Sequence, residues 1–242
     1  MKLFVTDYDN TLYVNDEEIK ETIEELKRIR NKDIKVVIAT GRPIGSIKNE
    51  VLKHGIPFDY LSCADGSLIY DDKYNLIQEY KMENDIVSEI PKLVSNVTYE
   101  EMQYSYTTGY EKGLDLSRSI SSVNVAIFEN CITKELQNKW NNLKEKYPNY
   151  SFLTYKHFHT PTRSYIYFLC IKSKGVSKSK SVEFLKNYLN IKEKDIFVIG
   201  DSDNDYEMIR DYNGVCVEGA ADSIKEISSC IYEKISDYLK EL

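Results

Sequence analysis

Short apolar runs that alternate with helical stretches constrain this chain more than any other feature of its sequence. Residues 2–6 (KLFVT) read as a buried strand, and 16–30 follow with Ile19, Ile23, Leu26 and Ile29 at helical spacing. DIKVVIAT, ending at Thr40, is a continuous apolar run typical of a parallel strand buried on both faces. Gly41, Arg42 and Pro43 then lead into a second helix, where Pro43 suits the first turn and Gly55 the end. Residues 59–63 read as another strand, and 67–80 alternate around Asp71-Asp72 as a hairpin. This β-α-β-α-β order predicts a parallel sheet covered by helices. The pattern returns late: a helix over 177–190 with Val182, Leu185 and Leu189 on one face, a strand at 196–200 (IFVIG), a short helix at 205–212 and a strand at 214–219.

Between these halves the pattern changes. SSVNVAIF (121–128) and SYIYFLCIK (164–172) read as strands separated by a helix at 133–147. Thr133 suits its N-cap, and Leu136, Trp140, Leu143 and Tyr147 share one face. The sequence therefore predicts two domains: an α/β core from 1–81 and 173–242, and an inserted α+β domain over 82–172. A length of 242 residues suits that division.

The chain is 42% hydrophobic and 29% charged, enough apolar residue for a sizeable core. Its net charge of −7 argues against binding a nucleic-acid backbone, yet leaves room for a local basic pocket. The five cysteines (Cys63, Cys131, Cys170, Cys216, Cys230) are odd in number and none is spaced C-x-x-C. That speaks against a zinc site or disulfide framework and for a reducing compartment. No apolar run approaches the roughly 20 residues a membrane span needs. The apolar run before Asp7 is only Leu3-Phe4-Val5, too short for a secretory signal core, so the expected location is the cytoplasm.

Four polar sites fall at corresponding places in the α/β pattern. Asp7 and Asp9 follow the first strand, Thr40 ends the second, Lys178 opens the late helix and Asp201 follows strand IFVIG. Parallel crossovers share one hand, so these strand ends lie on one edge of the sheet, where ligands bind. Asp7 and Asp9 are placed to divide nucleophilic and proton-transfer work, or simply to form an acidic turn. The Thr40 hydroxyl and the free N–H groups beyond Gly41 suit a phosphoryl oxygen, or cap a turn. Lys174, Lys178 and Lys180 crowd cations at a helix start, which the helix dipole disfavours by about 0.3–1 kcal/mol each when exposed. An anion or the Asp7 carboxylate would offset that; a solvated basic loop is the other reading. Asp201, Asp203, Asn204 and Asp205 offer the oxygen ligands a hard cation takes, though Asp205 alone would serve as a helix cap.

Together these motifs resemble the haloacid dehalogenase superfamily of phosphatases, and in particular its Cof-type branch with a large α/β cap between the second and third motifs. DYDNTL resembles motif one, TGR motif two, Lys178 in GVSKSKSV motif three and GDSDNDYEM motif four. The resemblance covers the core at both ends and matches the middle in position and size. It implies a Rossmann-like doubly wound parallel core with an inserted α+β cap, and Asp7 as a nucleophile that forms an aspartyl-phosphate. It implies Asp9 as proton carrier, and Thr40, Gly41 and Lys178 as phosphate-binding groups. Magnesium would be held by Asp7, the Asp9 carbonyl, Asp201 and Asp205, with Asn204 in support.

Three positions depart from the family pattern. Asn10 stands where Gly is common, and Asn tolerates the required turn. Asp65 replaces an Asn, and Ala220-Ala221 replaces Asn-Ala. Candidates for substrate specificity are Arg42, Arg118, His157, His159 and Arg163, with the two histidines and Arg163 read on the loop before SYIYFLCIK. The Tyr-rich stretch at 99–110 either faces a sugar ring or fills the cap core.

The implied activity is hydrolysis of a small phosphorylated metabolite, a sugar phosphate foremost, with no nucleic-acid or membrane partner. Phosphoryl transfer to a second substrate would use the same core and differ in exclusion of water. A phospho-accepting signalling domain also combines acids, a hydroxyl and a lysine, but is about half this length and places its acceptor after an internal strand. A ligand-binding protein that keeps the fold is the remaining reading.

Overall fold

The computed structural model describes residues 1–159 and 163–242, and of 155–159 the backbone alone. The chain forms two compact units, Met1–Gln78 with Ser177–Leu242, and Glu79–Val176.

In chain order the elements are β1 (Lys2–Thr6), α1 (Glu18–Arg30), β2 (Ile34–Ala39), α2 (Ile44–His54), β3 (Tyr60–Cys63), β4 (Leu68–Asp71) and β5 (Leu76–Glu79). Then come α3 (Asn84–Leu93), β6 (Glu101–Tyr106), β7 (Gly109–Glu111), β8 (Ile120–Phe128), α4 (Lys134–Lys146), β9 (Tyr150–His159) and β10 (Ser164–Ser173). The chain closes with α5 (Lys178–Tyr188), β11 (Ile196–Gly200), α6 (Tyr206–Asp211), β12 (Val215–Val217), α7 (Asp222–Lys225), β13 (Ile231–Tyr232) and α8 (Ile235–Glu241).

The first unit is built on one eight-stranded sheet, ordered β13-β12-β11-β1-β2-β3-β4-β5. From β13 to β3 every pairing is parallel, and β4 joins β3 antiparallel. The apolar runs read from the sequence become its central strands because both faces are covered. Phe4, Val36 and Ile38 pack on one side with Ile19, Leu26 and Ile29 of α1. Leu3, Val5, Val37 and Val198 pack on the other with Val182 and Leu185 of α5. Pro43 stands extended before α2, and Gly55 ends that helix with a left-handed φ of 66°.

The chain runs outward from β1 to β3 on one side and from β11 to β13 on the other. The two directions diverge between β1 and β11. The C-terminal ends of these two strands therefore flank the crevice at which open α/β sheets bind ligands.

The second unit is a five-stranded antiparallel sheet, ordered β7-β6-β8-β10-β9. Ile86 and Ile90 of α3 and Leu136, Trp140 and Leu143 of α4 form its core with Val123, Val125 and Ile127 of β8. Thr133 caps α4, its hydroxyl accepting from the Leu136 N–H at 3.1 Å. The Tyr-rich stretch divides: Tyr104 and Tyr106 are buried in this core, while Tyr99 and Tyr110 are exposed.

One expectation is corrected here. His157 and His159 do not lie on a loop; they belong to β9, opposite Ile166 and Ser164 of β10. Their side chains lie outside the described residues. Among the described residues no helix is long and apolar enough to cross a membrane.

Candidate active site

Asp7 follows β1 directly, Asp201 follows β11, and Lys178 is the first residue of α5. The fold gathers these three with Asp205 into one buried cluster. Lys178 is fully buried and donates to Asp7 Oδ1 at 2.5 Å and to Asp205 Oδ1 at 2.7 Å. Asp201 Oδ1 accepts from the Thr11 hydroxyl at 2.9 Å. Carboxylate oxygens of Asp7, Asp201 and Asp205 lie within 4.8 Å of one another. Of the basic run 174–180 only Lys178 turns inward; Lys174 is exposed and the exposed Lys180 pairs with Glu183.

The loop after β11 brings Asp205 back to the end of that strand. Asp205 folds back, and its Oδ2 accepts from the N–H groups of Asp201 at 3.0 Å and Ser202 at 3.2 Å. Ser202 and Asp205 form a reciprocal capping box. This return needs a glycine at 200, because a Cβ there would lie 2.5 Å from Asp205 Cγ.

The acidic run does not converge as a whole. Asp203 accepts from the Ser223 hydroxyl, and the Asn204 amide donates to Asp65 Oδ1 at 3.0 Å. The carboxylate that replaces the family's Asn at 65 is thus tethered. Gly41 sits against it, since a Cβ on Gly41 would lie 3.1 Å from Asp65 Oδ1.

Three buried carboxylates face one ammonium, and the electrostatics show the imbalance. Burial, with Asp205 and Asp201 nearby, pushes Asp7 well above the usual carboxylate range despite Lys178. Burial and Asp205 also raise Asp201, against the Thr11 hydroxyl. Burial works against the Lys178 ammonium, but Asp205 and Asp7 outweigh it and raise its pKa above that of a free lysine. Buried charge of one sign is costly unless it is matched. The donor set is hard oxygen throughout, so a divalent cation with oxygen preference fits it.

Thr40, fully buried, follows β2 as Asp7 follows β1, and the register Thr6↔Ile38 places the two on neighbouring strand ends. Its hydroxyl accepts from the Arg42 N–H at 3.1 Å. Asp9 stands apart from the buried cluster. It is half exposed and held by Arg42 through two parallel hydrogen bonds, Nε to Oδ2 at 2.9 Å and Nη2 to Oδ1 at 2.6 Å. Directly after Asp9, Asn10 takes a φ of 59°, which keeps the turn that Gly usually makes.

The remaining candidates lie in the second unit. Arg118 bonds Glu111 and the Thr108 hydroxyl and sits 4.0 Å over the Tyr106 ring. Arg163 is an exposed residue after β9 with a left-handed φ of 50°. Sequence reasoning gave no separate part to Thr11 or to Ser202. Their only signal was membership of the DYDNTL and GDSDND motifs.

Residues 4–237 match the family of haloacid dehalogenase-like hydrolases. The chain belongs to that family. It is accordingly an enzyme, a hydrolase. A relative from Buchnera aphidicola, named "Putative phosphatase", is 26% identical over 99% of this chain and 97% of its own. Among solved structures, a haloacid dehalogenase-like hydrolase from B. subtilis aligns with a TM-score of 0.78 at 18% identity, covering 100% of both chains. A sugar phosphatase of haloacid dehalogenase subclass IIB aligns with a TM-score of 0.73 at 16% identity, covering 100% of this chain and 98% of its own.

Proposed function

We propose that this hydrolase is a magnesium-dependent phosphatase of small phosphate monoesters, sugar phosphates foremost, working through an aspartyl-phosphate on Asp7. The observation that carries the reading is the buried cluster of Asp7, Asp201 and Asp205 at the switch point of the sheet, with Lys178 paired to Asp7 and Asp205. The phosphatase relatives and the subclass IIB sugar phosphatase support the substrate class.

In this reading Asp7, Asp201 and Asp205 hold the cation together with the Asp9 backbone carbonyl, and Asn204 braces the loop. When bound, the cation neutralises charge on the transferring phosphoryl oxygens. Lys178 fixes Asp7 and, with Thr40 and the N–H groups at Gly41, binds the remaining oxygens. A carboxylate oxygen of Asp7 attacks phosphorus, and the bond from phosphorus to the ester oxygen breaks. Asp9 gives that oxygen its proton, so the alcohol leaves neutral. Asp9 then takes a proton from water as the water oxygen attacks phosphorus. The bond from phosphorus to Asp7 breaks, freeing inorganic phosphate and restoring the enzyme. The Glu79–Val176 unit supplies specificity, with Arg118, Arg163, His157 and His159 as its candidates and Arg42 as the core's.

A panel of phosphorylated metabolites assayed with and without magnesium tests the proposal. Release of inorganic phosphate that requires magnesium and stops with EDTA is the expected result. Turnover only with an added alcohol acceptor would make the enzyme a phosphotransferase instead. Turnover of no ester would sink the reading.

A further inference from the structure

Asp9 is restrained by more than its own ion pair. The guanidinium of Arg42 lies 5.0 Å from the centre of the Tyr8 ring, which is fully buried beneath it. Behind the guanidinium, Nη1 lies 3.6 Å from Glu50 Oε1 and donates to the Ser46 hydroxyl at 3.4 Å. The other Glu50 oxygen accepts from the Tyr8 hydroxyl at 3.3 Å. Glu50 therefore fastens both the cation and the shelf on which it rests. Its own position is set by α2, where His54 Nε2 approaches Oε2 at 3.6 Å one turn on.

The exposures say why this matters. The side chains of Arg42 and Asp9 are 31% and 48% exposed. An ion pair so open to water holds its geometry weakly by itself, because both side chains lose rotamer freedom and solvent screens the attraction. A bidentate fork held from beneath by an aromatic ring and from behind by a carboxylate is far more restricted. Proton transfer is sensitive to such restriction, since displacement by about 1 Å can cost two orders of magnitude in rate.

We propose that Glu50 is a positioning residue which, through Arg42 and Tyr8, fixes the Asp9 carboxylate in the orientation from which it serves the leaving oxygen. The inference rests on Asp9 being the proton carrier. No sequence motif marks Glu50; it lies within α2, 41 residues from Asp9 in the chain. A residue that merely braced α2 against the turn after β1 would affect folding alone, or every substrate alike.

The discriminating quantity is kcat/KM for two esters, p-nitrophenyl phosphate and glycerol phosphate. It reports steps only up to the first irreversible one, so hydrolysis of the intermediate, common to both esters, drops out. The p-nitrophenolate leaves readily without a proton, whereas the glycerol alkoxide needs one. Asp9→Asn should therefore lower kcat/KM for glycerol phosphate by roughly 10²–10⁴-fold, and much less for the aryl ester. Glu50→Gln, which keeps shape and loses charge, should lower the glycerol phosphate value about tenfold and the aryl value less than about twofold. Tyr8→Phe, which removes only the hydroxyl, should give the same split, smaller in size. In an Arg42→Lys background the Glu50→Gln effect should vanish, because the fork it steadies is gone.

If Asp9→Asn shows no split between the esters, the proton-carrier reading fails and the inference falls with it. If Asp9→Asn shows the split and Glu50→Gln lowers both esters equally, or neither, the inference alone is overturned. Persistence of the Glu50→Gln effect in the Arg42→Lys background would likewise overturn it.

Discussion

Two carboxylate centres at opposite edges of one sheet follow opposite designs. Asp59 precedes β3, at the N-terminal edge, and one carboxylate there meets two cations. Arg30 donates to it twice, at 3.0 and 3.2 Å, Lys35 donates at 3.0 Å, and the Val36 N–H adds a fourth bond at 2.9 Å. Asp7 follows β1, at the C-terminal edge, where three carboxylates share one lysine. The first centre is complete in itself. In the second, among the described residues, three buried carboxylates meet one ammonium, and burial and mutual repulsion raise Asp7 and Asp201. Under the proposed function the contrast separates a group that holds the protein together from one that takes a cation and substrate, and four measurements can break or sharpen it.

The largest difference should appear in activity. Asp7→Asn, which removes the nucleophile of the proposed mechanism, should lower kcat by at least about 10³-fold, with Tm equal to or above that of the wild type because crowded charge is relieved. Asp59→Asn should leave kcat and KM within about twofold below its melting temperature. A fully active Asp7→Asn variant would show that the buried cluster is not the catalytic centre.

Cation binding should come next. Magnesium at about a hundred times its dissociation constant should stabilise the protein by roughly 2.7 kcal/mol, read as a rise in Tm without any substrate. Asp201→Asn should lose most of that rise, while Asp59→Asn keeps it. A wild-type Tm indifferent to magnesium, calcium and manganese would mean that the surplus charge is met in some other way.

The stability of the two centres should differ in the reverse sense. Removing one partner of a fully buried ion pair costs about 3–5 kcal/mol. Arg30 and Lys35 are more than a third exposed, at 34% and 38%, so solvent takes up part of the loss. Asp59→Asn should therefore cost about 2 kcal/mol and lower Tm by roughly 4–8 °C. A variant as stable as the wild type would make the four-bond cluster ornamental.

How much of this could be read beforehand depends on how local each signal is. The strands β1, β2 and β11 were plain because burial on both faces demands unbroken apolar runs. Asp7, Lys178, Asp201 and Asp205 were each marked by a short motif at a strand end or helix start, and the sheet brings them together. β9 was hidden because it is an edge strand whose residues, YSFLTYKHFH, form neither a continuous apolar run nor a regular alternation, and its histidines passed for a loop. Asp65 was noticed as a departure, but its bond to Asn204 joins residues 139 positions apart. The same holds for Thr11 with Asp201 and for Glu50 with Tyr8. Such partners are chosen by packing, and packing leaves no period in the sequence.

The smallest expected effect is also the most direct test of what Asp59 contributes. Burial alone would raise its pKa, but the Arg30 guanidinium, the Val36 amide and the Lys35 ammonium outweigh burial and hold the carboxyl below the usual range. Between the folded value and the unfolded value of about 3.9, the unfolded chain binds the extra proton. The charge of Asp59 therefore adds its full stability above that unfolded value and loses it as pH falls through the folded one. Urea midpoints for the wild type and Asp59→Asn, measured from neutral pH down towards pH 3, should differ by a constant amount near neutrality. That difference should shrink below about pH 4. A gap that persisted unchanged into acid would show that Asp59 acts by shape and neutral hydrogen bonding, and the two centres would then differ in geometry and not in charge.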